Sequence, residues 1–313
     1  MAAEHGLNPG PGRKILLAGA TGYIGRHVLH ELQRRGHHVT ALVRRANHGL
    51  EADDVRLVDS LDEAQIRARL EDESFAVVVS CIASRTGVRD DAWAVDYQAN
   101  LNLLQAGIRA GARHFVLLSA ICVQRPRLAF QQAKLAFEQE LAESGLDFSI
   151  VRPTAFFKSL AGQIERVRAG KPYLMFGDGR LTACKPIAEQ DLAEFIVDCL
   201  SDGQRRNRIL PIGGPGEAIT PREQGEMLFE LTGKPPRFTR IPPGLLKFIA
   251  AALAPPGVLI PALREKSEYA RIGHYYATES MLVWDKESGR YDAGATPSAG
   301  TMTLRQFYEQ AID

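Results

Sequence analysis

The stretch 19-GATGYIG-25 stands between an apolar run, 14-KILLA-18, and a segment from Tyr23 to Arg35 whose apolar residues recur with helical spacing. In such a turn the first glycine lets the chain reverse, the second lets backbone approach a diphosphate, and the third lets the helix pack closely on the sheet. The diphosphate would lie against the N–H groups of the helix N-terminus. The stretch therefore predicts a dinucleotide-binding turn, with a plain tight turn as the alternative. The predicted cofactor contacts in it are Gly19, Thr21, Gly22, Tyr23, Ile24 and Gly25.

Apolar runs and helical segments alternate six times before Arg152, with short connections. After the first pair, the predicted strands are 38–44, 55–58, 76–83, 114–119 and 148–152, and the predicted helices are 61–70, 96–110 and 128–144. This pattern is typical of an α/β fold with a Rossmann-like, doubly wound parallel sheet. Beyond Arg152 proline-rich pieces separate short helices, one of which begins at Thr220 with a capping box. We expect an NADP-binding Rossmann domain over 13–155 and a smaller C-terminal substrate lid over 156–313, interleaved with the core rather than independent.

The composition is that of an ordinary globular protein, with 45% hydrophobic and 24% charged residues in a chain of 313. A net charge of +1 gives no electrostatic reason to expect nucleic acid as a partner. The 4 cysteines are widely spaced and include no C-x-x-C pair. We therefore expect reduced thiols, with neither a disulfide framework nor a protein metal site.

The beginning of the chain and its most apolar region bear on localisation. The first thirteen residues lack an apolar core and carry one arginine, so they fit neither a signal peptide nor a plastid transit peptide. We therefore expect a cytoplasmic, bacterial protein. The apolar region 245–263 is interrupted by Lys247 and by Pro255-Pro256, so it lacks the roughly 20 apolar residues of a transmembrane helix. A weak peripheral membrane contact stays open, and the sequence leaves the oligomeric state unknown.

The end of the second strand predicts the choice of cofactor. An NAD-preferring fold usually places an acid there to hold the ribose 2′-hydroxyl, whereas this chain has Arg44 and Arg45. Two guanidinium groups fit a 2′-phosphate, which favours NADPH over NADH. A solvated arginine pair is the alternative. Asp59, after the third strand, is predicted to approach the adenine, with a helix-capping role as the alternative.

Lys134 stands four residues after Phe130, on a helix that follows the strand ending at Ser119. Together with the glycine turn and the arginine pair, this arrangement resembles the atypical short-chain dehydrogenase/reductases of the NmrA-like branch. A narrower similarity rests on three blocks, which begin FVLLSAICVQ at 115, FSIVRPTAFF at 148 and IGHYYATESM at 272. They resemble the NADPH-dependent divinyl chlorophyllide (or protochlorophyllide) 8-vinyl reductases.

The resemblance implies reduction of the 8-vinyl group of a magnesium chlorin or porphyrin to ethyl in chlorophyll or bacteriochlorophyll biosynthesis. It implies that Lys134 contacts the nicotinamide ribose, that Pro153 and Thr154 lie beside the nicotinamide, and that Ser119 belongs to the cofactor site. Phe130 replaces the tyrosine that protonates a carbonyl in ordinary members of the superfamily, and Ala120 takes the usual catalytic serine position. Both losses argue against carbonyl reduction and leave alkene reduction open.

Reduction of the vinyl group requires a proton donor, and binding of the flat macrocycle requires side chains on which it can stack. The candidate donors are Tyr275, Tyr276, His274 and Cys122, and His274 could instead ligate the magnesium of the substrate. The candidate substrate contacts are Phe156, Phe157, Phe176 and Trp284 for stacking and Lys158 for a propionate. Two other functions stay open: reduction of a smaller conjugated alkene, and a non-catalytic NADP(H) sensor or assembly factor. The vinyl reductase function would place any membrane contact at a photosynthetic membrane.

Overall fold

The structure, a computed structural model, describes residues 12–45, 49–58 and 61–312. Over these residues the strands are β1 (Lys14–Ala18), β2 (His38–Val43), β3 (Asp54–Leu57), β4 (Val77–Ser80), β5 (His114–Leu118), β6 (Asp147–Pro153), β7 (Tyr173–Phe176), β8 (Arg208–Ile212), β9 (Phe238–Ile241), β10 (Val283–Asp285) and β11 (Arg290–Asp292). The helices are α1 (Tyr23–Arg34), α2 (Glu63–Arg69), α3 (Arg89–Ala92), α4 (Asn100–Arg109), α5 (Ala129–Glu143), α6 (Phe157–Leu160), α7 (Ile164–Arg168), α8 (Glu189–Asp198), α9 (Pro221–Leu231), α10 (Gly244–Gly257), α11 (Pro261–Thr278) and α12 (Leu304–Ile312). A π-helical segment, Trp93–Ala99, joins α3 to α4, and 3-10 turns lie at Ile121–Gln124, Ala161–Gln163 and Gly203–Arg205.

The central sheet has seven parallel strands in the order β3-β2-β1-β4-β5-β6-β8. Alternate residues of β1 face opposite layers, because successive side chains of a strand point to opposite faces. Ile15 and Leu17 pack into the layer that contains α1 and α8, whereas Leu16 and Ala18 pack into the layer that contains α2, α4 and α5. The sheet is thus covered on both faces, as the continuous apolar runs of its strands predict.

The predicted doubly wound sheet is confirmed, with two differences in detail. The seventh strand, β8, was not predicted because it is a short edge strand that contains Pro211 and is partly exposed. The helix predicted from residue 96 begins earlier, since α3 and the π-helical segment precede α4. The capping box at Thr220 is confirmed, because its hydroxyl accepts from the N–H of Glu223 and its own N–H donates to the Glu223 carboxylate.

The C-terminal part packs around its own apolar cluster, in which Phe157, Val167, Phe229 and Tyr308 are buried. Its strands β7 and β9 pair with each other, and α10 and α11 form a hairpin. Long-range hydrogen bonds fasten this part to the segment after β5: the side chain of Gln124 donates to the Leu282 carbonyl and accepts from the Trp284 N–H. These hydrogen bonds fasten the C-terminal part to the segment at the carboxyl end of β5.

None of the helices in the described ranges combines the length and the apolar character that crossing a bilayer would require.

Candidate active site

The predicted dinucleotide turn has the close backbone packing that its glycines allow. Gly19 has a φ of +87°, and a Cβ there would lie 2.6 Å from the backbone of Cys81 after β4. A Cβ at Gly25 would collide with the carbonyl oxygen of Gly19, so glycine lets α1 approach the turn. Thr21 and Gly22 are exposed at the start of α1. The first N–H groups of a helix have no partner within it, so this open N-terminus fits a diphosphate.

The side chains of Ile24 and Tyr23, both in the turn, are placed differently. The side chain of Ile24 is buried in the core, so only its backbone can serve a cofactor. Tyr23 is half-buried, its ring centroid lies 6.5 Å from that of Phe156, and the Lys158 ammonium lies 4.6 Å above it. Burial and a hydrogen bond to Glu189 raise the pKa of Tyr23, so the phenol stays neutral. Phe156 and Lys158 therefore border the cofactor turn.

The predicted 2′-phosphate site follows β2 directly. Arg44 and Arg45 are both exposed at the carboxyl end of that strand, where a dinucleotide ribose would lie. Their exposure leaves the guanidinium groups accessible to a phosphate. Asp59, the predicted adenine contact, lies outside the described residues.

Lys134 is buried and forms an ion pair with Asp96, with 2.9 Å between Nζ and Oδ1. Asp96 is also buried, and the same oxygen accepts from the N–H of Ser84 at 3.1 Å. The second carboxylate oxygen, Oδ2, is buried and has no hydrogen-bond partner among the residues that the structure describes. Asp96 was not singled out from the sequence, because only the fold brings the π-helical segment against α5.

The predicted cofactor residues after β5 and β6 lie at the same edge of the sheet. The hydroxyl of Ser119 donates to Glu138, which also pairs with Arg152, so this hydroxyl is already engaged. Pro153 ends β6, and Thr154 is buried with its hydroxyl donating to the Lys185 carbonyl. The backbone of these residues, rather than their side chains, therefore borders this edge of the sheet.

The ring of Phe130, the residue that the sequence resemblance places at the carbonyl-acid position, is buried in an apolar cluster. Cys122 and Tyr275 belong to the same cluster. The hydroxyl of Tyr275 donates to the Cys122 carbonyl at 2.9 Å, and burial raises its pKa to about 12. Tyr275 therefore fastens α11 to the turn after β5.

Tyr276 is placed differently from its neighbour. Its residue surface is 47% exposed. Burial raises the pKa of Tyr276 well above its usual value. Burial also raises the pKa of the Cys122 thiol, and the charge of Lys134 partly opposes that increase.

Tyr276 also lines an open cleft of about 230 Å³ between the lid elements. Phe176, which the sequence predicts as a substrate contact, lies on its wall together with Met175 and Leu181. The remaining lining residues are Ser159, Leu160, Gly162, Gln163, Tyr173, Leu174, Gly179, Thr182, Pro221, Gln224 and Ala277. The cleft therefore combines apolar walls with the side of Tyr276.

Three predicted site residues do not line this cleft. Phe157 is fully buried against Phe307 in the core of the lid, so its ring has no face for a substrate. The ring of Trp284 is covered by the Arg125 guanidinium at 3.9 Å and by Tyr291, so it does not line the cleft. Nδ1 of His274 lies 3.2 Å from the Pro243 carbonyl, which makes it a tether between α11 and the start of α10.

Known proteins resemble this chain over most of its length. The model of an NAD(P)H-binding family matches residues 19–203. A chloroplastic divinyl chlorophyllide a 8-vinyl-reductase of Cucumis sativus is 51% identical over 317 residues, covering 95% of this chain and 76% of that protein. The corresponding protein of Oryza sativa subsp. indica is 50% identical, with coverages of 95% and 78%. An NADPH-dependent quinone oxidoreductase of Escherichia coli, solved with NADPH, shares the fold at a TM-score of 0.69, 18% identity and coverages of 96% and 100%.

The Asp96–Lys134 pair generates a prediction about cofactor binding. Asp96→Asn leaves the buried ammonium without its countercharge, so Lys134 loses its position, and we expect NADPH affinity to fall about ten-fold. Affinity for 2′,5′-ADP, which lacks the nicotinamide ribose, should stay unchanged. Fluorescence titration measures the first and calorimetry the second. Glu143→Gln, exposed at the C-terminal end of α5, is the matched control. Equal NADPH affinity in Asp96→Asn and the control would contradict the assignment.

Proposed function

This chain belongs to the divinyl chlorophyllide a 8-vinyl-reductase family, and we propose that it reduces the 8-vinyl group of divinyl chlorophyllide a or its protochlorophyllide counterpart to ethyl, with NADPH as cofactor. The observation that carries the proposal is the site around Lys134. Lys134 and the glycine turn are present, whereas Phe130 takes the sequence position of the carbonyl acid, and its ring is buried. The site therefore suits hydride addition to a bond other than a carbonyl.

The chemistry of a conjugated vinyl group explains why no carbonyl acid is needed. NADPH supplies the hydride, which would be added to the terminal vinyl carbon. The negative charge that results spreads over the macrocycle, so no localised oxyanion has to be stabilised. The protein must hold the ring in reach of the nicotinamide and deliver one proton to the inner vinyl carbon. Lys134, fixed by Asp96, would hold the nicotinamide ribose.

Of the four candidate proton donors, the geometry favours Tyr276. Tyr276 lines the cleft, and its phenol carries its proton at neutral pH as an ordinary tyrosine does. The hydroxyl of Tyr275 is engaged with backbone carbonyls, and His274 is tethered to Pro243.

The cleft also indicates how the ring would enter. Its volume of about 230 Å³ is below the ~300–1,000 Å³ of typical ligand pockets, so the ring would enter by one edge. Phe176 would contact a ring face from the cleft wall. The exposed Lys158, beside the cofactor turn, would meet a carboxylate of the substrate.

The division of the chain also remains our proposal: a Rossmann domain over 13–155 and a lid over 156–313 that is interleaved with it. The strand β8 and helix α8 lie in the second range yet pack into the central layers, which supports interleaving. A cytoplasmic, bacterial setting at a photosynthetic membrane is likewise a prediction, while the relatives from Cucumis sativus and Oryza sativa are chloroplastic.

The activity is tested by mixing the purified protein with NADPH and divinyl chlorophyllide a. We expect a small blue shift of the Soret band together with loss of NADPH absorbance, because the vinyl group leaves the conjugated system. NADP(H) binding without any spectral change would favour a sensor or assembly factor. Turnover restricted to small conjugated alkenes would favour a different reductase of the same branch.

The arginine pair after β2 gives a separate prediction on cofactor choice. Arg44→Glu with Arg45→Glu should weaken NADPH binding by about a hundred-fold, because two cations that meet the 2′-phosphate become anions that repel it. NADH binding should change little. Dissociation constants of the two cofactors measure the effect, with Arg67→Glu, exposed on α2, as the control. Equal losses for NADPH and NADH would remove the argument for a 2′-phosphate site.

The assignment of Tyr276 is tested by removing single hydroxyl groups from adjacent residues. Tyr276→Phe should lower kcat by about a hundred-fold, the usual effect of losing a positioned acid, and should leave NADPH affinity unchanged. Tyr275→Phe, the matched control on the same helix, should lower thermal stability and leave kcat within a few-fold. Single-turnover rates and melting curves separate the two effects. A larger loss of kcat in Tyr275→Phe would reverse the assignment.

A further inference from the structure

The helices α10 and α11 form an antiparallel hairpin that is packed along its length. The hydroxyl of Ser267 on α11 donates to the Ala250 carbonyl on α10 at 2.8 Å. Near the tip, a Cβ at Gly257 would lie 2.9 Å from the backbone of Arg264. Because the backbones approach this closely, the hairpin is a stiff unit whose tip is the connection 258–260.

The outer face of this hairpin is apolar and exposed. In α10 the charged residue Lys247 is accompanied by apolar side chains and glycines on every side of the helix, a pattern usually found in buried helices. Phe248 is nevertheless 72% exposed, and the tip residues Val258 and Leu259 are 82% and 87% exposed. Leu245 and Ile260 extend the same surface. A contiguous apolar surface of this kind marks an interaction site rather than scattered surface residues.

We propose that the tip of the α10–α11 hairpin docks the protein on an anionic lipid bilayer, with Val258, Leu259 and Ile260 inserted at the boundary between headgroups and acyl chains. Side chains that are more than four-fifths exposed project from the protein, so the tip is a protrusion. A stable dimer needs a broad patch of roughly 800 Å² on each partner, whereas a bilayer accepts a narrow apolar protrusion.

The charges beside the tip favour anionic lipid. Residues 242–266 contain the cations Lys247, Arg264 and Lys266 and the anion Glu265, and all four are exposed. Arg264 pairs with Asp90 at 3.1 Å, so these five charges leave one net positive charge. Cations near an anionic surface are attracted to it. Apolar insertion and electrostatic attraction would therefore act at the same place.

Docking through the tip leaves the cleft accessible. Tyr276 lies about 16 residues along α11 from Ile260, which corresponds to about 24 Å at the rise of an α-helix. Interfacial elements insert about 5–10 Å into the headgroup region. The cleft would therefore stand outside the bilayer, at a distance that a substrate leaving the membrane could cross.

Flotation of the full chain with lipid vesicles tests this inference. We expect binding to phosphatidylcholine vesicles that contain phosphatidylglycerol and weaker binding to pure phosphatidylcholine. Val258→Glu with Leu259→Glu should lower the partition coefficient by about ten-fold or more, because two apolar side chains are replaced by anions. Ile108→Glu, at an exposed position of α4, is the matched control and should bind as the unsubstituted protein does.

Two outcomes would overturn the proposal. One is flotation of the double variant equal to that of the control, and the other is no flotation with either lipid composition. Size-exclusion chromatography supplies a further check: a dimer that dissociates in the double variant would assign the surface to a second copy of the chain. None of these measurements depends on reductase activity, so a failure of the proposed reaction would leave the test intact.

Discussion

The ion pair between Lys134 and Asp96 sets the arrangement of the site. An ammonium removed from water costs several kcal/mol unless a countercharge compensates it, and Asp96 provides that charge at 2.9 Å. The pair connects α5 to the π-helical segment before α4, so it fixes two elements that flank the carboxyl ends of β4 and β5. π-Helical turns are rare and are often found at functional sites. The unpaired Oδ2 of Asp96 agrees with a site whose polar groups are completed by a ligand.

The surroundings of that pair explain what the site can and cannot do. The apolar cluster that contains Phe130 lies beside the charged lysine, and the hydroxyl groups of Ser119 and Tyr275 are engaged with protein partners. At the sequence position of the carbonyl acid, Phe130 contributes an apolar ring in place of a phenol. A substrate that delocalises negative charge over its own ring system needs no acid from the protein to stabilise that charge. The main task of the protein in the proposed reaction is therefore to position the substrate.

The lid reaches this site through contacts between distant parts of the chain. Glu279 accepts from Arg125, Arg127 and Tyr291, so one buried carboxylate joins the turn after β5 to the end of α11 and to β11. Burial, followed by a hydrogen bond to Glu279, raises the pKa of Tyr291, so the phenol stays a donor in this network. Since α11 also carries Tyr276, the same network positions the cleft relative to Lys134.

The sequence by itself determined the features that depend on local spacing. The glycine turn, the alternating strands and helices and the Thr220 capping box each follow from residues within a few positions of one another. Local geometry also placed Lys134 on a helix after the fifth strand. These features were predictable because backbone conformation and helix capping are decided by near neighbours.

Only the tertiary structure decided which side chains meet. It paired Lys134 with Asp96, gave Tyr276 a face in the cleft while engaging the hydroxyl of its neighbour, and enclosed Phe157 in the lid core. It also left one face of α10 exposed, although composition alone suggests a buried helix. Burial and pairing depend on elements far apart in the chain, and spacing within one element does not encode them.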